Sequence, residues 1–157
     1  MSQYTEIKNK AIYFLSRREY SKLELITRLN RYPNFQEDLI IQVIDELIEK
    51  DYLSDLRFSE QYVNMLLNKG LGFKKIKYEL KLKGISDARI IELLNISDIN
   101  WHTNALNLAH KKYGKKNIRD VKILAKIQRH LYSKGFDIDI IYYVINYYKN
   151  YQDYETT

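Results

Sequence analysis

The sequence predicts an all-α fold of three tandem three-helix repeats, helix-turn-helix-like units that together form an elongated, curved molecule. Three observations predict it. Apolar residues recur at spacings of three and four, the mark of a helix face: Ile12 and Leu15; Leu25, Ile26 and Leu29; Ile40, Val43, Ile44, Leu47 and Ile48. The single proline, Pro33, and the five glycines, Gly70, Gly72, Gly84, Gly114 and Gly135, fall between such segments, where they stop helices. The segments themselves repeat at a shift of 51 residues: Leu25, Ile76 and Ile127 superpose, as do Leu29, Leu80 and Leu131, then Leu39, Ile90 and Ile141, and Val43, Leu94 and Ile145.

This gives about nine helices and no sheet, read from the period and the repeat together. Repeat 1 spans residues 1–55, and its second and third helices open on two capping-box patterns, Ser21 with Glu24 and Asn34 with Glu37. Repeat 2 spans 56–100 and repeat 3 spans 101–157, the latter with an insertion, "KKNIRDVK", after Gly114. No Pro/Ser-rich linker separates them, so the joints fall at 51–55 ("DYLSD") and 96–100 ("ISDIN"). Tandem units of this size bury their neighbours' ends.

Without cysteine the chain has neither disulfides nor thiolate metal sites, so packing alone must hold it. No window reaches the ~20 apolar residues of a membrane span, and the first residues lack a signal-peptide layout, which places the protein in the cytoplasm. The net charge is +6, distributed unevenly: residues 1–55 carry 8 basic and 10 acidic side chains, 56–100 carry 8 and 5, and 101–157 carry 10 and 5. A basic surface of that kind suits a negatively charged macromolecule.

Catalysis finds no residues. "YGKKN" lacks the first glycine and the hydroxyl of a phosphate loop, and no GxSxG or cysteine nucleophile is present. His102, His110 and His130 have no metal-ligand spacing. Neither enzyme activity, cofactor nor metal is expected.

The basic residues are the candidate site. In "FKKIKYELKLKGI" (73–85), Phe73, Ile76 and Leu80 share one helix face, and Lys74, Lys77 and Lys81 form a stripe beside it. Glu79 can pair with Lys75 and Lys83 at i±4, leaving that stripe without a local partner. Tyr78 and Leu82 lie roughly opposite the core, which suggests a second contact. Repeat 3 adds a denser cluster, Lys111, Lys112, Lys115, Lys116, Arg119, Lys122, Lys126 and Arg129. With no Asn, Gln or Arg at the start of the 73–85 helix to read base edges, phosphate or carboxylate contact fits better than sequence-specific recognition. Tyrosine is the other excess, at fifteen residues; in the last helix Ile141, Val144, Ile145 and Tyr148 share a face, and Tyr143, Tyr147 and Tyr154 share another that suits an interface.

Paired arginines Arg17 and Arg18, then "SKLEL", "YLSDLRFSEQYV" (52–63) and "GLGFKKIKYELKLKGI" (70–85), in this order and spacing, resemble the RecX family of RecA regulators. The resemblance is good over Ala11–Leu94 and looser beyond. It departs at Ser54, where a second aspartate is usual, and at Ser59, where alanine is common. It implies a non-enzymatic modulator built of tandem three-helix repeats that lies in the groove of the RecA–DNA filament. Such a protein inhibits ATP hydrolysis, strand exchange and co-protease activity, with consequences for homologous recombination, DNA repair and the SOS response. Single-stranded or duplex DNA is a second ligand of some members.

Asp55, Arg57, Phe58 and Tyr62 match the family's most characteristic segment and are read as structural, with Asp55 capping the helix they start. Gly72, Ile76, Leu80 and Gly84 belong to the same scaffold. The partner- or DNA-binding set is Lys74, Lys77, Lys81, Lys111, Lys112, Lys115, Lys116, Arg119, Lys122 and Arg129. The protein is expected to be a monomer. The competing reading is a stand-alone, non-sequence-specific DNA-binding protein of helix-turn-helix type.

Overall fold

In the computed structural model, which describes residues 1–152, the apolar period becomes nine helices, and no strand occurs among the described residues. They are α1 (Gln3–Arg17), α2 (Lys22–Leu29), α3 (Glu37–Glu49), α4 (Asp55–Asn68), α5 (Phe73–Leu82), α6 (Asp87–Ile96), α7 (Trp101–Tyr113), α8 (Val121–Ser133) and α9 (Ile138–Asn150). Two compact units form. One holds Met1–Val63 with Leu80–Ile90, the other Asn64–Glu79 with the described residues from Ile91 onward, so α4, α5 and α6 contribute to both.

The first unit closes over Ile7, Ala11 and Phe14 of α1, Leu25 and Leu29 of α2, and Ile40, Val43, Ile44 and Leu47 of α3. Fully burying each such side chain stabilises by about 1.5–3 kcal/mol. Ser21 makes the expected capping box with Glu24. Asn34 does not: α3 begins at Glu37 after Gln36, which caps without its side chain. The reason is long-range. The Gln3 amide takes both groups of the preceding turn, donating to the Asn34 carbonyl (2.8 Å) and accepting from the Gln36 N–H (2.8 Å). α3 is followed, after Lys50, by Asp51, whose φ of 62° is one that aspartate tolerates better than most residues.

α1 and α3 are also tied by charge. Glu46 accepts from the Tyr4 hydroxyl, from Lys8 Nζ at 2.9 Å and from Lys50 Nζ at 3.0 Å. These bonds, Tyr4's foremost, pull its carboxyl pKa from 4.5 to about 2. A carboxylate whose folded pKa lies below its unfolded value contributes stability that is complete above the unfolded pKa and lost as pH falls toward the folded one. Wild type is therefore expected to lose urea resistance between about pH 4.5 and pH 2. Glu46→Gln should start lower at pH 7 and lose less across that window. Parallel acid curves for the two proteins would refute the assignment.

The second unit closes over Ala105 and Ala109 of α7, Leu124, Ile127 and Leu131 of α8, and Ile140, Ile141, Val144, Ile145 and Tyr148 of α9. Alanines at i and i+4 let α7 approach α9 closely. The insertion after Gly114 folds as a strap over the end of α9. Ile118 is buried and its N–H donates to the Tyr148 carbonyl (3.0 Å), while Asn117 Nδ2 donates to the carbonyls of Lys149 and Tyr151 (both 3.0 Å). Helix C-terminal carbonyls that would lack partners are thereby satisfied. In return the Tyr148 hydroxyl, whose pKa burial pushes up to about 12, donates to the Gly114 carbonyl at 2.7 Å.

One docking motif appears once in each unit. In the second, the end of α8 meets the start of α5, with Gly72 N–H donating to the Lys134 carbonyl (2.8 Å) and Lys74 N–H to the Gly135 carbonyl (3.1 Å). In the first, the end of α5 meets the start of α2, where a Cβ on Gly84 would lie 2.8 Å from Leu23 Cβ. Gly84 and Gly135 superpose under the 51-residue shift, and the side chains they approach, Leu23 and Lys75, correspond to within one residue. The repeat in sequence is a repeat in packing.

Candidate nucleic-acid or protein interface

α5 seats its lysines by burying their neighbours. Ile76 and Leu80 are fully buried and Phe73 meets Trp101 edge-on at 5.9 Å. Lys74 and Lys81 are exposed and Lys77 half-buried. Lys74 reaches Asp137 at 3.4 Å and Lys81 reaches Asp87 at 3.3 Å, both across exposed side chains. Pairs of that kind contribute about 0–1 kcal/mol and open readily to a competing anion. Tyr78 and Leu82 stand exposed on the same helix. Lys83 does not support Glu79: it reaches Glu24 at 2.9 Å.

The second cluster surrounds the strap. Lys111 and Lys112 end α7, Lys115, Lys116 and Arg119 ride on the strap, and Lys122, Lys126 and Arg129 form a stripe along α8; all eight are exposed. Two histidines sit among them without adding charge. Burial, helped by Lys115 for His110 and by Lys112 and Lys134 for His130, pushes both pKa values down. His110 packs against Tyr147 and Tyr148, and Tyr143 against His102, so part of the tyrosine face is used within this unit. Tyr154 lies outside the described residues.

The motif residues tie helices together. Arg57 donates from Nε to Glu19 (3.0 Å) and from Nη2 to the Asp51 carbonyl (2.8 Å), and Nη1 lies 3.0 Å from the Asp51 carboxylate. Asp55 does not cap its own helix. Ser54 does, accepting from the Arg57 N–H (3.2 Å), which leaves Asp55 to accept from the Lys22 N–H at the start of α2 (2.7 Å). Phe58 is buried and stacks on Tyr62 at 5.1 Å, with Lys83 over the Tyr62 ring. Ser59 is fully buried with its hydroxyl unpartnered, and nothing in the structure explains it.

A third basic feature lies mostly in the repeat that the charge count marks as acidic. Arg18, Arg28, Arg31 and Lys83 line a cavity of about 270 Å³ together with Glu24. Burial raises the Glu24 pKa, but hydrogen bonds from Arg18, Lys83 and the Ser21 amide outweigh it and hold the carboxyl below its ordinary value. Glu24 thus pairs with both Arg18 and Lys83, while Arg28 and Arg31 form no ion pair with a described residue. The guanidiniums are held in place by rings, Arg18 over Tyr20 at 3.7 Å and Arg28 over Phe14 at 4.6 Å. Pre-ordered guanidiniums suit phosphate or carboxylate. The only local sign in the sequence is Arg28 and Arg31 at i, i+3; the other two cations, Arg18 and Lys83, are the residues that follow α1 and α5.

Among the described residues no cluster of three His, Cys, Asp or Glu could hold a metal, and no helix is long and apolar enough to cross a membrane. Residues 54–94 match the family model described as "RecX, second three-helix domain", and 102–145 match "RecX, third three-helix domain". The chain is 41% identical over 137 residues to the regulatory protein RecX of Acinetobacter baylyi, covering 87% of this chain and 84% of that protein. It is 39% identical over 133 residues to that of Haemophilus influenzae strain PittEE, covering 83% and 87%. The crystal structure of RecX from Lactobacillus salivarius aligns with a TM-score of 0.77 at 27% identity, over 93% of this chain and 96% of that one.

Proposed function

Because the chain belongs to the RecX family, we propose that it is a binding regulator of the RecA recombinase, an inhibitor that docks in the groove of the RecA–DNA filament in the cytoplasm. The observation that carries this reading is the family match spanning most of the chain, joined to the exposed cations of α5, α7, the strap and α8. The lysines of α5 and the cations of α7, the strap and α8 are proposed to contact filament carboxylates or DNA phosphates. Asp55, Arg57, Phe58, Tyr62, Gly72, Ile76, Leu80 and Gly84 hold the helices that present them. The three repeats, 1–55, 56–100 and 101–157, are proposed as successive contact modules. The outcome of docking is lowered ATPase, strand-exchange and co-protease activity.

The test is RecA's DNA-dependent ATPase, titrated with this protein. Inhibition near stoichiometric amounts is expected; none at a molar excess would sink the proposal. Arg28 and Arg31, which line the α2 cavity and form no ion pair with a described residue, favour a second reading, a stand-alone DNA-binding protein. That reading requires tight binding to bare duplex, with log affinity falling by about 0.9 per neutralised phosphate for each unit of log salt. Weak binding to bare DNA beside strong binding to RecA-coated DNA separates the two.

A further inference from the structure

The lysine face of α5 has a counterpart in repeat 3 with different chemistry. Under the 51-residue shift, Lys74, Lys77 and Lys81 superpose on Ala125, Gln128 and Tyr132 of α8. These three, with Arg129 of α8 and Ile138 and Ile141 of α9, line an open cavity of about 480 Å³. Val121 continues the strip one turn earlier and is 78% exposed, while Tyr132 is 70% and Ile138 46% exposed. The spacing Val121, Ala125, Gln128, Tyr132 is one stripe down a helix.

Along its edge run Lys122, Lys126 and Arg129, all exposed. Lys74 and Lys81 have carboxylate neighbours, but none of these three forms an ion pair with a described residue. Single exposed apolar side chains are ordinary. A concave apolar strip bordered by unpaired cations is the layout that receives an amphipathic helix.

We propose that the α8/α9 groove docks an acidic amphipathic helix of a protein partner. Two aliphatic side chains of that helix, spaced i and i+3 or i+4, fill the cavity between Ala125, Ile138 and Ile141, and carboxylates on one flank meet Lys122, Lys126 and Arg129. Charge complementarity selects an acidic occupant. The walls favour protein over nucleic acid, because bases stack on aromatic faces whereas Ala125, Ile138 and Ile141 form an aliphatic wall, Gln128 and Arg129 are polar, and Tyr132 is the one aromatic side chain in the lining. The inference rests on the proposed regulation of RecA and assigns the partner helix to the RecA subunits rather than to their DNA.

The experiment places the photo-crosslinker benzoylphenylalanine at Tyr132 and irradiates the protein with RecA filaments on single-stranded DNA. An adduct to a RecA segment carrying Asp or Glu beside aliphatic residues is expected. Adducts only to DNA or only to a second copy of this chain, or none while the protein co-sediments with the filament, overturn the groove assignment. In parallel, Tyr132→Asp and the pair Lys122→Glu, Arg129→Glu are compared with wild type in filament co-sedimentation. Because these side chains are exposed, helix content should hold while affinity falls on the order of 30-fold, the loss typical of a removed anchor. Wild type that fails to co-sediment overturns the RecA reading and the groove with it. Wild type that binds beside variants that bind equally overturns the groove alone.

Discussion

Replacing Gly72 with alanine is expected to lower stability by about 3–5 kcal/mol, a large part of the ~5–15 kcal/mol that holds a typical domain. Its backbone is not of the kind that demands glycine; the demand comes from its neighbour. An added Cβ would lie 2.6 Å from the carbonyl carbon and oxygen of Gly135 and 2.7 Å from the Phe136 nitrogen. Those are main-chain atoms, which cannot swing aside as a side chain can, so the start of α5 would have to back away from the end of α8. Overpacking of this kind costs about 1–3 kcal/mol. The retreat also stretches the hydrogen bonds from Gly72 N–H to Lys134 and from Lys74 N–H to Gly135, each contributing about 1 kcal/mol.

Gly70→Ala is the matched control. Its φ of +81° carries the left-handed penalty of about 1–2 kcal/mol, but the nearest obstacle is the Leu108 Cδ1 tip at 2.8 Å, which can rotate away. Urea unfolding followed by circular dichroism should therefore rank Gly72→Ala well below Gly70→Ala. The reverse order would mean that backbone strain, not close approach, governs this junction.

The same contact shows what could be read from the chain and what could not. Ile76, Leu80, Ile127 and Leu131 are all buried because a period of three and four leaves them no other face, and that period is a local property of the sequence. Gly84 and Gly135 are visible as helix stops for the same reason. Their second role, admitting the start of another helix, depends on a residue about sixty positions away and has no local signature. Lys83 makes the point with charge. Glu79 stands four residues before it, an ordinary i,i+4 partner, yet the lysine reaches Glu24, where a carboxylate already half enclosed by Arg18 and the Ser21 amide offers a better site. Asp55 likewise lies beside the helix start it was expected to cap, but Ser54 is one residue closer to that role and α2 supplies an unpaired N–H. The exposure of the cations was legible, since the core face of each helix assigns the rest to solvent. The cavity around Arg28 was not, because its cations come from separate segments, and Arg18, Arg28 and Arg31 lie in a repeat whose net charge is negative.

Reversing the charge of the α5 stripe is expected to have the largest effect on function. Lys74→Glu, Lys77→Glu and Lys81→Glu together should weaken filament binding on the order of a hundredfold or more, since the three proposed attractive contacts would become repulsive. Reversal also places carboxylates beside Asp137 and Asp87, the present partners of Lys74 and Lys81. Both pairs are exposed, so the cost to stability is small, and helix content and urea midpoint should stay near those of wild type. The neutral triple Lys→Gln variant removes the attraction without the repulsion and should fall between. Salt then identifies the partner. If the stripe meets phosphates of single-stranded DNA, each lost lysine should flatten the slope of log affinity against log salt by about 0.7. If it meets carboxylates of the protein filament, few condensed counterions are released, the slope changes little, and binding to bare DNA is the same for wild type and variant. Unchanged inhibition by the reversed protein would make the stripe a solvated face, and would leave the strap cluster and the Arg28 cavity as the surfaces that carry the contact.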